Sequence, residues 1–216
     1  MEAIATIKLD SNFSSTFHKN VVAEITQRIK KESVKIKSTI TDKLRNAVRD
    51  SVMATEEYQS IVHGKLRAEL GIPDPNGRII TIIDTWVNNI MVDVKAGTSP
   101  LLLITIGILQ DDYGDVLSLP QAQYTYQSHR SKGEIPWLKW LLLEGDTRLV
   151  TTYEFSSNPR GSRTGMGIMV NKERGFWQVP PEFSGTSVDN FATRALGNIQ
   201  SVLDTIVEQA VRGAFK

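Results

Sequence analysis

Ile90-Met91-Val92-Asp93-Val94 is where the apolar spacing of this chain changes. Before it, apolar residues recur every three or four positions. Within it, Ile90, Val92 and Val94 recur every second position, the period of a half-buried strand. Leu101 to Leu109 follows as a short apolar run rich in branched residues, with Gly97-Thr98-Ser99-Pro100 on one side and Gln110-Asp111-Asp112-Tyr113-Gly114 on the other. That run reads as a more buried strand of the same sheet.

Upstream, the chain holds no glycine before Gly64 and no proline before Pro73. Apolar positions Val22, Ile25, Ile29, Ile36, Ile40, Leu44, Val48 and Val52 follow helical spacing. Ser14, Ser15 or Thr16 caps the start, and the segment is one long helix or two with a break near Glu32-Ser33. A second helix fits Glu56 to Leu70, stopped by Gly71-Ile72-Pro73. A third fits Arg78 to Asn89, with Ile79, Ile83, Trp86 and Ile90 on one stripe.

Downstream, Gln121–Gln127, Arg148–Phe155, Gly167–Val170 and Phe176–Val179 are weaker strand candidates. Trp137–Leu143 is too apolar for a loop and reads as a short buried helix or strand. Thr186–Phe215 closes the chain as a helix. Thr186 and Asp189 have capping-box spacing, and Val188, Phe191, Ala195, Ile199, Val202, Ile206 and Ala210 form its stripe. The order gives an α+β fold: N-terminal helices (16–89), a mostly antiparallel sheet with a projecting hairpin (90–180), and a C-terminal helix packed on the sheet (186–215). All of it is expected to form a single domain over 1–216.

The 216 residues are 40% apolar and 23% charged, so a packed core is expected. The net charge of +1 gives no global pull toward nucleic acid or a membrane. The absence of cysteine removes disulfides, thiolate metal sites and a cysteine nucleophile. No secretory leader is expected from Met1-Glu2-Ala3-Ile4-Ala5, and no apolar run approaches membrane-spanning length.

The search for chemistry nominates no catalytic set, cofactor site or metal site. His18, His63 and His129 have no ligand spacing. No Gly-x-Ser-x-Gly elbow occurs. Gly161-Ser162-Arg163-Thr164-Gly165-Met166-Gly167 lacks the Gly-Lys-Ser/Thr of a phosphate loop and precedes strand-like residues, so it reads as a hairpin loop. Asp111-Asp112-Tyr113-Gly114-Asp115 resembles a calcium loop only in composition and reads as a polar turn. Glu144 is expected to cap backbone groups or to pair with an arginine.

Three surfaces carry candidate binding residues. Arg160, Gly161, Arg163 and Gly165 belong to a loop that is either free in solvent or a docking loop, using guanidinium forks on a neighbouring subunit or a phosphate backbone. Trp137, Trp140 and Trp177 are either core or interface hot spots. Between Thr16 and Met53, nine basic residues face four acidic ones, a local net charge of +5. Lys30, Lys31, Lys35 and Lys37 are therefore either a solvated helix face or a surface toward DNA.

Gly64-Lys65-Leu66-Arg67, Leu142-Leu143-Glu144-Gly145 and Phe191-Ala192-Thr193-Arg194-Ala195 occur in an order that resembles the tail-completion and neck proteins of tailed bacteriophages. Those α+β proteins carry a Gly-x-Leu-Arg near the first helices, a Glu-Phe-Gly-like element mid-chain and a Pro-Phe-Leu-Arg-Pro-Ala-like element before the last helix. Here Gly145 directly follows Glu144, and Ala192 and Thr193 stand where Pro and Leu occur in the family. Ile135-Pro136-Trp137-Leu138, Leu143-Glu144-Gly145-Asp146, the Gly/Arg loop and Val179-Pro180-Pro181-Glu182-Phe183 also look like virion proteins of contractile-tailed phages. The resemblance spans about Glu56 to Ala210.

It implies a non-enzymatic virion protein, assembled in the host cytoplasm. It also implies a homo-oligomeric ring, sixfold or twelvefold, that extends the DNA channel and docks the tail. Neck, portal-adaptor and tail proteins would be its partners, with transient contact to genomic DNA and none to a membrane. A tail terminator, sheath or baseplate adaptor is the alternative within that class. A nucleic-acid-binding module using the basic helix is the alternative outside it.

Overall fold

A computed structural model describes residues 13–96, 102–108, 112–127, 132–158, 160–162 and 165–216, without the side chains of 13–15 and 96. The fold is α+β, and every strand pair in it is antiparallel. The strands form three separate two-stranded ribbons. The described residues gather into two compact units, one drawn from 1–41, 91–107 and 207–216, the other from 42–90 and 108–206.

The first unit contains most of α1 (Phe13–Met53), a 41-residue helix with no break at Glu32-Ser33. It starts ahead of the expected caps and continues because nothing in its sequence interrupts the backbone ladder. Ile36 and Ile40 are fully buried and Ile29 nearly so. Ile25, expected in the same stripe, is 43% exposed. The ribbon of β1 (Met91–Ala96) and β2 (Leu102–Gly107) also lies in this unit. Its register sets Val92 opposite Ile106 and Val94 opposite Ile104. β2 is less buried than its apolar run suggests. Burial alternates along it and Leu103 is 57% exposed, because a two-stranded ribbon is covered on one face only.

The last turns of α7 (Phe191–Ala214) complete the first unit. Arg28 donates to the Phe215 carbonyl at 3.5 Å and stands 5.9 Å from the centre of its ring. Lys35 donates to the Gly213 carbonyl at 3.4 Å. Two cations of α1 thus satisfy the carbonyl end of α7, where the helix dipole favours positive charge. Phe215, Val211 and Leu102 line a shallow apolar groove with Ile25 and Ile29.

In the second unit α1 continues through Leu44, Val48 and Val52, all buried. Successive positions four apart turn the stripe by about 40° each. The segment 56–70 is two helices, α2 (Glu56–His63) and α3 (Lys65–Leu70). Gly64 separates them: its backbone is extended, and a β-carbon there would lie 2.9 Å from the Ser60 Cα. The Ser60 hydroxyl accepts from the Leu66 amide at 2.9 Å and restarts the chain as α3.

α4 (Pro75–Asn88) begins three residues earlier than expected, with Asp74 accepting from the Gly77 amide at 3.2 Å. A single helical turn, α5 (Gly114–Leu117), begins within the expected polar turn and runs past its end. The ribbon β3 (Tyr124–Gln127) with β4 (Lys132–Ile135) follows; β4 carries no apolar alternation and was not expected. Trp137–Leu142 is α6, a short buried helix. The projecting hairpin is β5 (Val150–Ser156) with β6 (Ile168–Trp177), so that two expected short strands are one. Its register slips once, where Thr152, at φ 64°, stands against residues 172–175.

α7 starts at Phe191, five residues later than expected. Thr186 and Asp189 do bond one another, but Asn190 caps the helix. Its side-chain oxygen accepts from the amides of Ala192 and Thr193 at 3.0 and 3.2 Å. Val188, outside the helix, is 83% exposed, and Val202 is 42% exposed. Phe191, Ala195, Ile199, Ile206 and Ala210 form the buried stripe. Phe191 meets Trp86 of α4 with ring centres 5.7 Å apart.

Candidate functional site

The second unit holds an aromatic cleft of about 600 Å³. Four segments distant in the chain build it: the end of α3, the β3–β4 ribbon, α6 and the β5–β6 hairpin. Tyr124 and Tyr126 come from β3, Trp140 from α6, and Tyr153 and Trp177 from the β5–β6 hairpin. Each arrives by local geometry: residues two apart in a strand share a face, so Tyr124 and Tyr126 point together. The Trp140 and Trp177 rings meet at 5.9 Å and 51°, within the favourable range for a tilted aromatic pair. Tyr124 is anchored through its hydroxyl, which donates to the Leu70 carbonyl at 2.5 Å.

One carboxylate is sunk in this wall. Glu69 of α3 has a side chain only 8% exposed. Its Oε2 accepts from the Trp177 indole N–H at 2.7 Å. Its Oε1 lies 4.0 Å from Lys65, which is itself drawn 2.8 Å from Glu182. Burial raises the Glu69 carboxyl above its usual value of 4.5, while the Trp177 hydrogen bond and Lys65 pull it down. Glu134, on β4, brings a second carboxylate to the lining.

A raised carboxyl favours the protonated form in the folded state. Its contribution to stability is complete below the unfolded-state value and is lost as pH rises through the folded-state value. Glu69→Gln stays neutral and keeps an acceptor for Trp177. At pH 7 this variant should be at least as stable as the parent chain, with its advantage vanishing below about pH 4. Urea midpoints at the two pH values test this. A variant less stable at pH 7 by the same margin as at pH 4 refutes it.

The tryptophans divide. Trp137 is fully buried and its indole donates to the Gln121 carbonyl at 2.9 Å. Trp177 is 6% exposed. Trp137 has no exposed surface, and Trp177 opens only into the lining of the cleft. Trp140 alone is partly open, in the cleft.

The Gly/Arg loop sits at the tip of the β5–β6 hairpin. Gly161 and Gly165 have φ of 79° and 73°, which accounts for glycine at both. Arg160 is exposed, with its amide on the Asn158 side chain at 3.0 Å. Gly161 reaches the cleft lining. Arg163 lies outside the described residues. Glu144 pairs with Lys139 at 2.6 Å, not with an arginine.

Lys30, Lys31, Lys35 and Lys37 are all exposed on α1. At about 100° per residue, Lys30 and Lys37 share one side of the helix while Lys31 and Lys35 lie more than a quarter-turn away. Lys35 is engaged by the end of α7. The four therefore do not form one basic face.

Among the described residues, no group of three or more His, Asp or Glu side chains is placed to hold a metal ion, and no helix is long and apolar enough to cross a membrane. Sequence reasoning missed the cleft's carboxylates and tyrosines. Glu69 follows Lys65 at helical spacing and reads as half of a surface ion pair; its partnership with Trp177, 108 residues away, leaves no local mark. No protein-family model, curated protein or solved structure matches this chain.

Proposed function

We propose that this chain is a structural assembly protein of the tailed-phage head–tail junction, a ring subunit that extends the DNA channel and docks the tail. The observation that carries the assembly part is the state of the strands. All six described strands are used in two-stranded ribbons, so among the described residues each strand keeps one edge without a strand partner. Such ribbons are marginal alone, and open edges accept strands from neighbours. The ribbons also leave Met91 and Leu103, and Tyr153 and Phe176, between 39% and 73% exposed. Apolar side chains on open-edged ribbons suit the repeated head-to-tail contacts that close a ring by rotation. The placement at the junction rests on the ordered landmarks at Gly64, Glu144 and Phe191.

Negative-stain microscopy of the purified chain, alone and with portal and tail proteins, tests the proposal. Closed rings, or incorporation between head and tail, are expected. A strictly monomeric chain that never joins particles overturns it. Incorporation elsewhere in the tail selects the terminator, sheath or baseplate alternatives.

A further inference from the structure

The aromatic cleft holds a buried carboxylate whose nearest cation among the described residues, Lys65, stands off at 4.0 Å. Glu69 is nine-tenths buried, has one neutral hydrogen bond from Trp177, and has Lys65 only at 4.0 Å, because Lys65 sits on Glu182 at 2.8 Å. A charge in that position is costly without a partner. Tyr124, Tyr126, Trp140, Tyr153 and Trp177 are in the cleft's lining, and the face of an aromatic ring carries the negative side of its quadrupole. Glu134 adds negative charge to the lining. The volume of about 600 Å³ is in the range of a small-ligand site.

We propose that this cleft binds a guanidinium group, supplied by an arginine side chain of a partner polypeptide. A guanidinium is planar and stacks on aromatic faces, and its N–H fork matches a carboxylate. It would give Glu69 Oε1 a closer cation than Lys65 while Trp177 keeps Oε2. The source is a polypeptide and not the free amino acid: free arginine would bring a charged α-ammonium and α-carboxylate to the cleft at a desolvation cost, whereas a peptide-linked residue carries neither. This site does not depend on ring formation, since a monomeric chain binds the group or does not.

Titration of the intact chain with N-acetyl-arginine amide tests it, followed by tryptophan fluorescence and by the Trp177 indole resonance. Saturable binding is expected, with a Kd on the order of millimolar for one side chain. N-acetyl-citrulline amide, neutral and of the same shape, should bind at least tenfold more weakly, and free arginine more weakly than the blocked form. Glu69→Gln should lower affinity tenfold or more. Trp140→Leu, on another wall of the cleft, should also lower it, and the citrulline comparison needs no variant at all. Equal binding of the arginine and citrulline compounds, or undiminished affinity in both variants, overturns the proposal. Free arginine binding more tightly than the blocked form overturns the polypeptide source.

Discussion

Trp137→Ala should destabilise the isolated chain by about 3–5 kcal/mol, the cost of emptying a large aromatic site in a packed core. Trp137 is fully buried, as are Leu138, Leu141 and Leu142 beside it on α6. The substitution also strands the Gln121 carbonyl, which accepts the indole N–H at 2.9 Å. For a chain of this length the midpoint of thermal unfolding should fall by roughly 10 °C. Trp137→Phe should recover part of the loss, restoring ring volume but not the hydrogen bond. An interface aromatic behaves in the opposite way: its alanine variant leaves the monomer's stability intact and weakens only association. Unchanged urea or thermal unfolding of Trp137→Ala would therefore return this residue to the surface.

Asn190→Ala should cost about 3 kcal/mol, more than an ordinary helix cap. Asn190 is fully buried, and its oxygen caps α7 through two backbone amides. Its nitrogen has the Tyr113 hydroxyl, the Leu142 carbonyl and the Thr186 carbonyl within 2.8–3.1 Å. Two amide hydrogens serve three acceptors, so at most two of these bonds form at once. The residue thus ties the start of α7 to α6 and to the segment before α5, and alanine orphans groups on all of them. Asn190→Asp, which keeps the cap oxygen, should remain strongly destabilised because the donors are gone and a charge is buried. A loss below 1 kcal/mol for Asn190→Ala would show that water replaces these bonds.

These two residues mark where sequence reading stops. Trp137 was legible as part of a buried apolar segment, helix or strand, but its side chain's direction depends on what α6 packs against. Asn190 stood in plain view beside a Thr186–Asp189 pair with capping spacing, and that pair took the role in the reading. Both caps are chemically competent. The packed position of Phe191 against Trp86 decides which residue begins the helix. Glu69 is the extreme case, since only the arrival of Trp177 converts a surface-type position into a buried carboxylate.

The sequence by itself determined the long helices and the first ribbon. The glycine-free, proline-free stretch with apolar positions four apart is α1, and the period change at Ile90 begins the first ribbon. Those signals are local, because a helix bonds each residue to one four away and a strand alternates its faces residue by residue. The tertiary structure alone decided how the strands pair off into three ribbons, which tryptophans are core, and where the cleft lies. Those outcomes depend on groups brought together from across the chain, and the energy that selects them comes from burial and hydrogen bonding between segments that carry no record of one another.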